Sequence, residues 1–134
     1  VPGSHASTFG GNPVSCRAAL MTIELLEGGL IENAARLGDY ILGKLKDFQK
    51  RFHLIGDVRG KCLMIGIEFV KDPLTKEKAI EERSEVIQAC FKKGLLILVC
   101  GENVIRLIPP LMITQREADL ALTILEDVLE EVRV

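Results

Sequence analysis

The chain has 134 residues, of which 48% are hydrophobic and 27% are charged, and its formal net charge is −2. This length suffices for one domain with one hydrophobic core. With no basic excess, one Tyr and no Trp, the composition argues against nucleic-acid binding, and its apolar runs are too short for a membrane span.

The four cysteines favour free thiols over disulfides or a metal site. No C-x-x-C spacing occurs and there are only two histidines, so we predict no metal site. We take the cysteines as reduced, small hydrophobic residues, which indicates a cytoplasmic location. They are Cys16, Cys62, Cys90 and Cys100.

A loop rich in glycine and hydroxyl residues opens the chain. Residues 3–12 read Gly-Ser-His-Ala-Ser-Thr-Phe-Gly-Gly-Asn, and Pro13 follows. Asn is a strong N-cap and Pro is favoured at the first helical position, so a helix should begin at Pro13. The loop suits an anion because helix N-termini offer N–H groups and a positive dipole end.

No lysine precedes Lys44, which excludes a Walker-type phosphate loop. An anion here must be held by backbone N–H groups and by the hydroxyls of Ser7 and Thr8. The alternative is a glycine-rich connector before an ordinary capped helix.

Apolar periodicity predicts four helices and four strands. The first helix is nearly apolar all round, which implies burial on more than one side, and the last begins with a capping box from Thr114 to Glu117. The order indicates an α+β fold, with a small, mostly antiparallel sheet and helices packed on one face. In chain order we predict helices at about 13–27 and 30–51, strands at 55–59 and 63–70 with a bend at Arg59-Gly60, a helix at 78–93, a buried strand at 95–100, a strand at 104–108, and a last helix from Thr114.

Arg106 is the one charged residue in the predicted strand 104–108. A guanidinium there must find an anion or solvent, because an unpaired buried charge is costly. Its planar fork fits a carboxylate with two parallel hydrogen bonds. The alternative is an arginine on the wet face of an edge strand. Arg59 is a second candidate, for which a structural role in the bend is the favoured interpretation.

Three segments resemble class III aminotransferases, which are pyridoxal-phosphate enzymes of fold type I. Residues 3–13 are similar to the family's Gly-x-His-x-Ser-Thr-Phe/Tyr-Gly-Gly-Asn-Pro segment. Residues 58–68 resemble its Val-Arg-Gly-x-Gly-Leu-Met-x-Gly-Ile-Glu hairpin, although Cys62 stands where the family usually has glycine. Residues 106–111 resemble its Arg-x-x-Pro-Pro-Leu motif, and the three together cover nearly the whole chain.

The resemblance implies roles for three residues. Thr8, assisted by Ser7, would contact the phosphate of pyridoxal phosphate held by a neighbouring subunit, and Arg106 would bind a substrate carboxylate. It therefore implies a homodimer or higher homo-oligomer acting on small amino and 2-oxo acids.

The family's Schiff-base lysine and the acid against the pyridine nitrogen lie upstream of the loop motif, and Lys61 has no such role. Val1 is not a natural initiator, so we expect the chain to be the C-terminal part of a longer enzyme and to be inactive by itself. We divide it into a cofactor-phosphate loop with an interdomain helix, 1–29, and a C-terminal small domain, 30–134.

The resemblance leaves the substrate open. A 4-aminobutyrate-type aminotransferase comes first, an acetylornithine-type enzyme second, and an amino-acid racemase on the same scaffold is a further alternative. An alternative hypothesis, from a different functional class, is a stand-alone regulatory module that senses an amino acid through Arg106.

Overall fold

A computed structural model describes residues 3–4 and 6–132 of the chain. Within these residues, four strands form one antiparallel sheet. His5 of the opening loop lies outside the described residues. The strand order is β1-β2-β4-β3. The strands are β1 (Ile55–Lys61), β2 (Met64–Phe69), β3 (Leu98–Cys100) and β4 (Val104–Leu107).

Helices cover one face of this sheet. They are α2 (Ile31–Arg51), α3 (Ile80–Lys92) and α4 (Gln115–Glu131), whereas α1 (Pro13–Leu25) precedes them without covering the sheet. Helices α2 and α3 contact the strands, and α4 packs against both helices. The predicted α+β fold with helices on one face is therefore confirmed.

The alternation of apolar residues in β2 and β4 decides which face is covered. Ile65, Ile67 and Phe69 on β2 and Ile105 on β4 are almost completely buried, as expected for a strand with one wet face. They meet the apolar stripes of the helices. Those stripes include Leu37, Ile41, Leu45 and Phe48 of α2, Val86 and Cys90 of α3, and Leu122, Leu125 and Val128 of α4.

The last helix begins as predicted. The Thr114 hydroxyl accepts a hydrogen bond from the Glu117 N–H at 3.3 Å, and the Glu117 carboxylate accepts one from the Thr114 N–H at 2.8 Å. These two bonds form the capping box. The Thr114 N–H and, at 2.7 Å, the Thr114 hydroxyl both donate to the Glu117 carboxylate, and this lowers the pKa of Glu117.

The predicted bend at Arg59-Gly60 is wrong, because both residues lie inside β1. Lys61 pairs with Met64, so the hairpin turn consists of Cys62 and Leu63. Cys62 has a φ of +50°, a conformation for which two-residue hairpin turns favour glycine. The structure thus gives a physical reason why the similar family usually has glycine there.

The prediction of a buried strand over residues 95–100 is wrong in extent and in burial. Only Leu98–Cys100 is a strand, and it lies at the edge of the sheet. Leu98 and Val99 are 55% and 50% exposed, whereas Ile97 just before the strand is buried. A continuous apolar run cannot by itself distinguish a central strand from an edge strand.

The first helix buries none of its residues within this chain, contrary to the prediction of burial on several sides. It begins at Pro13 as predicted and ends at Leu25, two residues early. A π-helical turn, Leu26–Leu30, follows, in which Gly29 has a φ of +119°. Helix α1 contacts chiefly this turn, and most of its large apolar side chains are exposed.

Several other element ends differ by one or two residues. Helix α3 starts at Ile80 because Lys78 forms a β-bridge with Val70. Helix α2 starts at Ile31 and β4 ends at Leu107. Boundaries of this kind commonly vary by one or two residues.

Helix α2 passes so close to the β1–β2 turn that one position must be glycine. A Cβ added to Gly38 would lie 2.2 Å from both the carbonyl carbon and the carbonyl oxygen of Cys62. These are backbone atoms, which cannot rotate aside, so the helix and the hairpin touch directly at this point.

We expect Gly38→Ala to lower the free energy of unfolding by about 1–3 kcal/mol, the usual cost of overpacking. Gly43→Ala on the same helix is the matched control, because a Cβ there meets nothing within 4 Å. It should instead stabilise the protein by about 0.5–1 kcal/mol. Urea unfolding of both variants checks this, and equal effects would contradict the close contact.

Candidate functional site

Asn12 closes the opening loop and caps α1. Its side-chain oxygen accepts the Ser15 N–H at 2.9 Å, and its Nδ2 donates to the Phe9 carbonyl oxygen at 2.6 Å. Gly11 has a φ of +79°, which other residues adopt only with strain. This local geometry follows from the Gly-Gly-Asn-Pro run and confirms the predicted helix start.

The capped helix keeps few backbone donors for an anion. Pro13 has no N–H, and the N–H groups of Ser15 and Cys16 bond to Asn12. In the first turn this leaves the Val14 N–H without a partner among the described residues. The helix N-terminus alone is thus a poorer anion site than its composition suggested.

Ser7 and Thr8 are both exposed, and within residues 3–4 and 6–132 their hydroxyls donate no hydrogen bond. Two free hydroxyls fit the oxygen atoms of a phosphate. No lysine or arginine precedes Arg17, so the loop can add neutral donors but cannot balance the charge. A phosphate bound here must receive its counter-charge from another surface.

Arg106 lies in β4 on the face of the sheet opposite to the helices. Ile105 before it is buried and Leu107 after it is half-buried, whereas Arg106 is exposed. It pairs with Gly66 on one side and Leu98 on the other. Among the described residues it forms no ion pair, so its guanidinium is free to take a carboxylate.

A cavity of about 390 Å³ opens where β3 and β4 separate beyond the Leu98–Arg106 pair. Its walls come from residues 95–98, residues 107–110 and the inner sides of α2 and α4. Arg106 is the one charged residue in its lining, and the rest is apolar. Because the Arg106 side chain lies on the open face of the sheet, it borders this apolar space without lying inside it.

A second arginine on the same face is already paired. Arg59 Nη1 donates to Asp57 Oδ2 at 2.7 Å and to Glu68 Oε2 at 2.6 Å. These two hydrogen bonds raise the pKa of Arg59 above its ordinary value. Arg59 therefore has a structural role, although in a strand and not in the bend where we placed it.

The sequence reasoning missed this three-residue cluster. Part of the signal was available, since Asp57, Arg59 and Glu68 occupy positions that the alternation assigns to the wet face, but their meeting depends on the register of β1 and β2. The cavity had no signal, because it depends on where two strands part.

The structure does not bring the loop to Arg106. Ser7 and Thr8 lie in an exposed loop at the far end of α1, whose 13 residues span roughly 20 Å at 1.5 Å per residue. The two predicted binding elements are thus separate within this chain.

The four thiols are free and differ in environment. Burial raises the pKa of Cys90 to about 11, so at neutral pH it is a protonated thiol that packs as a small hydrophobe. Cys16 is exposed, and Cys62 and Cys100 are half-buried. The expectation of apolar surroundings therefore holds fully for Cys90 alone.

Among residues 3–4 and 6–132, no three His, Cys, Asp or Glu side chains come together in a way that could hold a metal ion. Within the same part of the chain, no helix has the length and apolarity needed to cross a membrane.

Comparison with known proteins gives consistent matches over the whole chain. A profile of the family described as aminotransferase class-III matches residues 1–129. An acetylornithine aminotransferase of Caldanaerobacter subterraneus is 41% identical over 98% of this chain and 32% of its own length. A leucine/methionine racemase of Thermococcus litoralis is 42% identical over 98% of this chain and 30% of its own length.

Solved structures agree with these matches. A Bacillus anthracis aminotransferase superposes with a TM-score of 0.88 at 38% identity, covering 96% of this chain and 30% of that one. An amine transaminase from an uncultivated Pseudomonas species, in its PLP-bound form, gives a TM-score of 0.87 at 33% identity, covering 96% and 30%. The chain spans about a third of the length of the relatives it matches.

Proposed function

Because this chain belongs to the class-III aminotransferase family, we propose that it supplies the substrate-carboxylate site and a cofactor-phosphate contact of a pyridoxal-phosphate enzyme. The enzyme moves an amino group between an amino donor and a 2-oxo acid. The observation that carries this proposal is Arg106, an exposed guanidinium without an ion pair among the described residues, in a strand that borders an apolar cavity.

Arg106 binds and orients the substrate. Its planar fork donates two parallel hydrogen bonds to the carboxylate, which fixes the direction of the rest of the substrate. Arg106 is exposed within the described residues, so an ion pair formed there becomes stronger when another surface excludes water from it.

The hydroxyls of Ser7 and Thr8 donate hydrogen bonds to the phosphate of the cofactor. When bound, pyridoxal phosphate supplies the electron sink for the reaction. Because the loop has no cation, the phosphate charge is balanced by residues of another subunit or domain, which supports a homodimer. The exposed apolar residues of α1, with Leu25 57% and Ile23 50% exposed, support the same assembly.

The division into residues 1–29 and 30–134 stays a prediction, as does a cytoplasmic location. So does 4-aminobutyrate as the amino donor. The relatives named acetylornithine aminotransferase favour N-acetylornithine as a second donor. Racemisation is a second candidate function, because a racemase is as similar to this chain as those aminotransferases are.

A chimera tests the proposal. Replacing the matching third of the Caldanaerobacter acetylornithine aminotransferase by this chain should keep transaminase turnover with pyridoxal phosphate. We expect no turnover from the 134-residue chain alone, since the cofactor lysine that the family resemblance implies has no counterpart here. Turnover by the chain alone would overturn the proposal. Assays with 4-aminobutyrate, N-acetylornithine and L-leucine separate the three candidate activities.

Thr8→Ala in that chimera should weaken retention of the cofactor by roughly tenfold or more, because a hydrogen bond to a charged group contributes about 1.5–3 kcal/mol. Dialysis followed by spectrophotometry of bound cofactor measures the loss. Thr22→Ala is the control, since its hydroxyl bonds within α1 to the Ala18 carbonyl oxygen at 2.9 Å. Equal retention in both variants would remove Thr8 from the phosphate site.

Arg106→Lys in the chimera should lower kcat/KM for carboxylate substrates, because lysine cannot make the two-pronged contact. An amine substrate without a carboxylate should react almost unchanged. Arg116→Lys, at an exposed arginine in the first turn of α4, should affect neither substrate. If Arg106→Lys reduces both substrates equally, Arg106 has a structural role instead.

A further inference from the structure

A row of residues crosses the open face of the sheet at the level of Arg106. The pairing places Arg59 of β1 beside Gly66 of β2, Gly66 beside Arg106 of β4, and Arg106 beside Leu98 of β3. Both arginines are exposed and share one face. Adjacent strands are about 4.8 Å apart, so the two arginines are separated by about 10 Å at their Cα atoms.

Nothing stands between the two arginine side chains. Gly66 has no side chain, and among the described residues a Cβ there would meet Val104 Cγ1 only at 3.5 Å. Two long guanidinium side chains flanking such a gap could together hold one molecule with two carboxylates.

The neighbouring row prevents this. Asp57 and Glu68 face each other across β1 and β2, and both carboxylates bind the same nitrogen, Arg59 Nη1. Glu68 is the more shielded of the two, with 31% of its side chain exposed against 49% for Asp57. No carboxylate bonds to Arg106 in the described part of the chain.

We propose that Asp57 and Glu68 determine the charge selectivity of the carboxylate site by more than balancing the charge of Arg59, so that Arg106 alone attracts the ligand. The site then distinguishes ligands by one carboxylate and gains little from a second one. This inference rests on the proposed role of Arg106 as the carboxylate-binding residue.

A purely structural role for the cluster makes a different prediction. If the ion pairs served only to join β1 and β2, their removal would change stability and leave ligand selectivity as it was. Exposed ion pairs contribute little to stability, whereas an unpaired guanidinium across Gly66 changes what the face can bind.

The test compares glutarate with pentanoate, two acids of equal chain length that differ by one carboxylate. Binding to the 134-residue chain is followed by NMR of the arginine Nε–Hε groups at constant ionic strength and pH 7. In the unaltered chain glutarate should bind only about twice as tightly, the statistical factor for two equivalent carboxylates. In Asp57→Asn/Glu68→Gln this ratio should rise by about fivefold, the upper value for an exposed ion pair.

The chain contains a matched control, since Arg51 of α2 is also held by two carboxylates, Glu126 and Glu130 of α4. Glu126→Gln/Glu130→Gln removes the same charge away from the open face and should change the ratio much less. Adding Arg59→Gln to the Asp57→Asn/Glu68→Gln variant should return the ratio to its original value. An equal gain in the control variant, or a gain that persists without Arg59, would overturn the proposal.

Arg59→Gln alone keeps the test decisive if the double variant does not fold. Removing Arg59 leaves Asp57 and Glu68 without their cation, so the ratio should stay the same or fall, and a rise would contradict the proposal. Arg106→Gln separates the two claims. If it leaves pentanoate binding intact, the proposed role of Arg106 fails, whereas loss of binding with an unchanged ratio in the double variant refutes only the present inference.

Discussion

The one-sided covering of the sheet is the constraint on which the other features depend. Ile65, Ile67 and Ile105 are at most 1% exposed because α2 and α3 lie directly on them. Side chains alternate along a strand, so every neighbour of these residues is directed to the opposite face. That face receives Gly66, Glu68 and Arg106, and the chemistry of the chain is concentrated there.

Two arginines on this open face differ in whether a carboxylate pairs with them. Arg59 is satisfied by its neighbours and Arg106 is not, although the two residues lie in the same row. The difference arises from register, because the strand positions next to Arg59 carry acids, whereas β3 opposite Arg106 carries Leu98. A free guanidinium is thus distinguished from a paired one by the residues that the neighbouring strand positions carry.

The loop and α1 differ from the rest of the chain because they leave donors and apolar side chains uncovered. The loop has neutral donors without a counter-charge, and α1 has apolar side chains without cover, so both features require a surface beyond this chain. The α2–α4 body, by contrast, has a closed core that begins at Ala34. A phosphate contact delivered to a neighbouring subunit reconciles these observations.

Much of the fold could be predicted from the sequence, since the helical stripe of α2, the alternation in β2 and the capping box of α4 are strong local signals. The errors have physical causes. The turn at Cys62 was missed because glycine at position 60 resembled a bend, and the true turn uses a residue that seldom adopts a positive φ. The exposure of β3 depends on strand order, and the solvent-exposed α1 depends on surfaces outside the chain.

The candidate residues Ser7, Thr8 and Arg106 came from motifs, and their chemical setting came from the structure. The cluster of Asp57, Arg59 and Glu68 required the register of β1 and β2, which sequence periodicity alone does not give.

A crystal structure of the chimera with pyridoxal phosphate and a carboxylate substrate analogue tests the central claim most directly. We expect the Thr8 hydroxyl to lie within hydrogen-bonding distance of the phosphate of the cofactor held by the other subunit. We also expect the Arg106 guanidinium to donate two hydrogen bonds to the analogue's carboxylate. A phosphate without any contact to Thr8 or Ser7, together with an analogue that is bound away from Arg106, would contradict the claim.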